Sequence, residues 1–106
     1  MSSQALRIKA DVHMQPATNL PVVKPLMAGW GPDILFRGKF YPGRILQCDT
    51  PIQPGAVGEA IIGMLAHQIH DIGLEVGSTL ELMAGPHLIA TATVASLQDE
   101  PDTNTR

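Results

Sequence analysis

The sequence predicts an all-β fold, a small six-stranded antiparallel β-barrel. Three observations predict it. Apolar and polar residues alternate over residues 6–14, 78–84 and 87–97, the period of a half-buried strand. Nine prolines and ten glycines in 106 residues divide the chain into short elements and leave little room for long helices. The one segment with helical spacing is interrupted by glycine. Closing such strands into a ring also protects their edges from pairing with other chains.

The first strand is the clearest. In LRIKADVHM, Leu6, Ile8, Ala10 and Val12 fall on one face and Arg7, Lys9, Asp11 and His13 on the other. Residues 15–26 contain Pro16, Pro21 and Pro25 and read as a long crossing loop. The next stretch, MAGWGPDILFRGKFYPG, runs from Met27 to Gly43. Gly29, Gly31 and Pro32 punctuate its start. Ile34, Phe36 and Phe40 share a parity, which predicts a strand over residues 34–40 with both phenylalanines in the core. Tyr41, Pro42 and Gly43 read as a reverse turn into a strand over residues 44–48. Residues 49–58, with Pro51, Pro54 and two glycines, read as loop.

Residues 57–72 admit two readings. Ile61, Leu65, Ile69 and Ile72 have helical spacing, while Gly58 and Gly63 each cost a helix about 1 kcal/mol relative to alanine. As a strand, Ala60, Ile62, Met64 and Ala66 share one face. Residues 73–77 read as a turn. Residues 78–84 form a strand with Leu80 and Leu82 on one side. Gly85-Pro86 is a hairpin turn, and residues 87–97 form a long strand with threonines at alternate positions. Residues 1–97 thus form a single β-barrel domain, and residues 98–106 a disordered polar tail.

The length suits one domain with one core. Hydrophobic residues make up 44 % of the chain and charged residues only 16 %, which favours a surface partly covered by a partner or by a second copy. Charge is uneven. Residues 1–44 carry six cations and two acids, and residues 45–106 carry one and eight. Cys48 is alone, which excludes an intrachain disulfide or a cysteine-rich metal site and suggests an inert, buried thiol. The N-terminal residues contain no long apolar run. Neither a signal peptide nor a membrane span is expected, and cytoplasmic is the default location.

Catalytic chemistry finds no support in the motifs. His67 and His70 share a helix face if their segment is helical, but no motif supplies the further ligands of a zinc site. Cys48 lies beside Asp49, which disfavours a nucleophilic thiolate. Gly38-Lys39 is not a phosphate loop, because Phe40 stands in place of Ser/Thr and Asp33 in place of the first glycine. The chain is therefore expected to be no enzyme, with no metal and no cofactor. Trp30 either plugs the barrel end or anchors a partner. Arg7 and Lys9 share parity, as do Arg37 and Lys39. If those strands pair, they form with Arg44 a basic stripe able to contact RNA.

Taken in order, these elements resemble the third domain of elongation factor Tu, the C-terminal β-barrel of that translational GTPase. The alternating charged strand at residues 6–14 matches the family's opening strand. Trp30-Gly31-Pro32-Asp33-Ile34-Leu35-Phe36-Arg37 matches its signature of an aromatic, a residue, proline and an apolar run ending Phe-Arg. Pro54-Gly55 matches its Pro-Gly turn, and residues 77–84 and 87–97 match its last hairpin. The resemblance covers about residues 5–97. It implies a six-stranded barrel that makes contacts through its surface; a stand-alone copy is expected to bind protein partners, with translation components among them, and Trp30, Arg37, Lys39 and His87 are the candidate partner-binding residues. The alternatives are tRNA-like RNA bound by Arg7, Lys9, Arg37, Lys39 and Arg44, and a self-associating structural subunit. Gly31 stands where the family usually has arginine, and Gly85-Pro86-His87 replaces its Gly-Gly-Arg.

Overall fold

The computed structural model describes residues 5–65 and 73–99. Six strands, β1 (Ala5–Met14), β2 (Asp33–Phe36), β3 (Lys39–Gln47), β4 (Val57–Leu65), β5 (Thr79–Ala84) and β6 (His87–Asp99), close into a barrel in the order β1-β4-β3-β2-β5-β6. Every neighbouring pair is antiparallel. A single 3-10 turn (Ala17–Asn19) is the only helix among the described residues. The sheet is the predicted all-β barrel.

Alternation fills the interior. Ile8, Ala10 and Val12 of β1, Ile62 and Met64 of β4, Leu80 and Leu82 of β5, and Ala90 and Ala92 of β6 are all closed to solvent. Small residues stand among the large ones: Ala10 pairs with Ala60, and Ala92 lies between Val12 and Leu80. Alternating small and large side chains is how a narrow barrel fills without voids. Among the described residues no polar or charged side chain is buried. Burial of apolar groups therefore drives the closure, with the backbone groups paired in the ladder.

The phenylalanine reading needs correction. The expected strand over residues 34–40 is a hairpin: β2 ends at Phe36, and Phe36 pairs with Lys39 across Arg37 and Gly38. Both turn residues have positive φ, 52° and 80°, as a two-residue type I′ turn requires. The turn resets the parity. Phe36 stays in the core, whereas Phe40 sits opposite Leu35 on the outer face and is 60 % exposed. Tyr41, Pro42 and Gly43 do not form a turn but continue β3. Pro42 is tolerated because pairing with β4 starts only at Gly43–Met64, so its missing N–H breaks no bond on that side.

Residues 57–65 are strand, and the rest of the ambiguous segment, with His67 and His70, lies outside the described residues. Glycine serves close packing there. A methyl group at Gly63 would come within 3.0 Å of Leu46 Cδ1, and one at Gly58 within 2.8 Å of Ile52 Cγ1. Leu46 occupies the bulge in β3, where the register shifts between Ile45 and Gln47. The bulge lays Leu46 over Gly63 on the outer surface. β6 continues to Asp99, and the remainder of the expected tail lies outside the described residues.

Candidate functional site

One end of the barrel is capped by loops. The crossing loop of residues 15–32, the loop of residues 48–56 and the Gly85-Pro86 turn all meet there. Leu26 and Ile52 form a two-way backbone bridge, both bonds 2.9 Å, and Leu20, Leu26 and Ile52 are buried over the core. Further bonds tie the loops to the strands: Met14 N–H donates to Ala56 O (3.0 Å) and Gln15 N–H to Ile89 O (2.9 Å). Gly85 takes a positive φ of 60°, the first position of a type II′ hairpin.

Trp30 is held firmly in this cap. Its carbonyl accepts from Ile45 N–H at 2.7 Å, and Gly29 N–H donates to Ile45 O at 2.8 Å. Gly29 makes this turn with φ of 98°, which an L side chain resists. Trp30 is half-buried and packs against the core cluster. It also lines an open groove of about 450 Å³ with Met14, Leu26, Met27, Ala84 and Ile89. Pro21, Val22, Pro25 and Ala28 complete the apolar lining, and Lys24 is its one charged residue. Met14 and Leu26 are buried, while Val22 (62 %) and Met27 (50 %) stand exposed. Val23, next in the chain, is exposed as well. Trp30 thus both plugs the barrel end and faces outward.

The structure divides the remaining residues singled out by the sequence. His87 is exposed and pairs with Ala84, so it shares the capped end with Trp30. Arg37 and Lys39 belong to the β2–β3 hairpin at the opposite end. There the Arg37 guanidinium stands 5.2 Å from the centroid of the Phe36 ring and against Gly73. The continuous basic stripe does not form, because β1 pairs with β4 and β6 and never with β2 or β3. Arg7 and Arg44 instead flank Gly63 from the two strands beside it. Lys9 lies in a shallow depression of about 340 Å³ with Asp49 and Glu59.

Cys48 is half-buried, and its thiol donates to Thr50 O at 3.1 Å. Burial first, and the neighbouring Asp49 carboxylate second, raise its pKa above the ordinary thiol value, while a Thr50 backbone hydrogen bond that favours the thiolate acts the other way. A thiol held protonated is a poor nucleophile. Among the described residues no three His, Cys, Asp or Glu side chains gather as a metal site, and no helix is long and apolar enough to cross a membrane.

Lys24, Val22, Leu26 and Met27 are the residues that sequence reasoning missed. Val22, Lys24 and Leu26 lie in the segment that reads as a proline-rich crossing loop, and Met27 opens the next stretch. The one signal was the apolar content of Val22-Val23 and Leu26-Met27 in a loop that had no strand face to fill. No known protein-family model matches this chain, and a search of curated proteins finds no relative by sequence.

Proposed function

We propose that this chain is a non-catalytic binding module that acts through protein contacts, a barrel similar to the third domain of elongation factor Tu, with a partner in the translation machinery. The exposed apolar rim around Trp30 carries this reading. Val22, Val23 and Met27 leave half or more of their surface in water beside an apolar groove. Covering each side chain returns about 1–2 kcal/mol, and tryptophan is enriched among the residues that anchor interfaces. The closed six-stranded antiparallel ring agrees in class with the barrel that the resemblance implies. RNA contact is the weaker reading, because the topology separates Arg37 and Lys39 from Arg7 and Lys9, whereas a phosphate backbone rewards contiguous cations.

A photo-crosslinking residue at Met27, with one at the exposed Thr93 as control, tests the proposal in the native cytoplasm. The expected result is a translation component captured from Met27, not from Thr93, and lost on Trp30→Ala. Capture of no translation component would sink it. Salt-dependent retention of tRNA, weakened by Arg37→Ala, would favour the RNA reading instead.

A further inference from the structure

We infer that the capped-end groove receives a short peptide segment combining apolar side chains with a carboxylate, and that Lys24 meets the carboxylate. This rests on the reading of the chain as a protein-binding module and names the chemistry of its partner.

The lining sets the terms. Ten of its eleven residues are uncharged, and the eleventh, Lys24, is a cation with no carboxylate among its lining neighbours. An occupant of the groove lies beside that exposed cation, and an anion placed there gains a charge-assisted contact, so a matching occupant supplies one. The rest of the surface asks for aliphatic contact, from Val22, Met27 and Trp30 at the opening to Leu26 and Met14 beneath. A nucleic acid fits poorly, since it brings many phosphates to a groove with one cation. The chain's own C-terminal strand leads away from the site: Asp99 pairs with Leu6 at the opposite end of the barrel. An apolar peptide with one acidic residue meets both demands.

Trp30 is the chain's single tryptophan, so its fluorescence reports occupancy directly in the full-length protein. The probe is an acetylated, amidated hexapeptide of leucine and alanine with one central glutamate, compared with its glutamine and lysine counterparts and with decanoate. The expected result is a saturable Trp30 response to the glutamate peptide. Affinity should fall about fivefold for the glutamine peptide or for Lys24→Gln, the scale of one partly exposed ion pair. Lys24→Glu should invert the preference toward the lysine peptide. Lys24 is exposed, so both variants keep the fold, and far-ultraviolet circular dichroism verifies it. Equal affinity for all three peptides, no response to any, or a response to decanoate alone would overturn the inference. So would a response that grows with protein concentration without peptide. If Met27 still captures a translation component while the glutamate peptide leaves Trp30 unmoved, this inference fails and the reading beneath it stands. If the peptide binds but no translation component is captured, the groove chemistry holds and the translational partner is wrong.

Discussion

Phe36 and Phe40 lie four residues apart and share sequence parity, yet the hairpin between them predicts opposite responses to truncation. Phe36 is 7 % exposed at the end of β2. Phe36→Ala removes a buried ring and leaves a cavity, at a cost of about 3–5 kcal/mol. Phe40 is 60 % exposed, so only about two fifths of its surface is out of water and truncation opens no cavity. Full burial of a phenylalanine is worth roughly 1.5–3 kcal/mol, so Phe40→Ala costs about 1 kcal/mol at most. Urea unfolding followed by Trp30 fluorescence measures both. A small domain has only about 5–15 kcal/mol of stability, so Phe36→Ala risks complete unfolding. Phe36→Leu, expected to cost under about 1.5 kcal/mol, keeps the comparison measurable against Phe40→Leu, expected near zero. Equal losses at the two positions would refute the hairpin, since a continuous strand would bury both rings.

Gly43→Ala should destabilise by about 1–3 kcal/mol in the same unfolding assay, because the new methyl group runs into the buried Ile34 side chain; an unchanged midpoint would show that β2 and β3 are not so closely packed. Asp11 and Glu59 are exposed and directly opposed on β1 and β4, so Glu59→Lys should stabilise by about 0.2–1 kcal/mol, with the gain shrinking in high salt. The raised Cys48 pKa predicts slower alkylation by iodoacetamide than for an unstructured thiol at mildly alkaline pH, and Asp49→Asn should speed it. The thiol's contribution to stability is fully present below the unfolded thiol's pKa and is lost as pH rises through the folded value. Faster labelling of the folded chain would contradict this.

Much of the barrel was legible because its interior is written as strict alternation. Leu6 to Val12, Leu80 with Leu82, and the alanines of β6 all point where parity places them. The errors arose where a local feature reset the count. Arg37-Gly38 makes a type I′ turn without the usual Asn-Gly, and arginine seldom signals positive φ. Pro42 resembles a turn residue until the neighbouring ladder is known to start one residue later. Gly58 and Gly63 argued only weakly against a helix; their role is to admit Ile52 and Leu46, contacts between distant parts of the chain. The groove was illegible for the same reason. Leu26 reaches it through Ile52, Trp30 through Ile45, and Ile89 through the last hairpin, and no local pattern records those meetings.

Backbone chemical-shift mapping of the isotope-labelled chain, titrated with the glutamate-bearing hexapeptide, tests most directly whether the capped end is the working surface. Shifts confined to Lys24, Met27, Trp30, Ala84 and Ile89, with the Arg37-Gly38 hairpin unmoved, are the predicted outcome. Shifts centred on that hairpin, or on Arg7 and Arg44 beside Gly63, would put the contact surface elsewhere and contradict it.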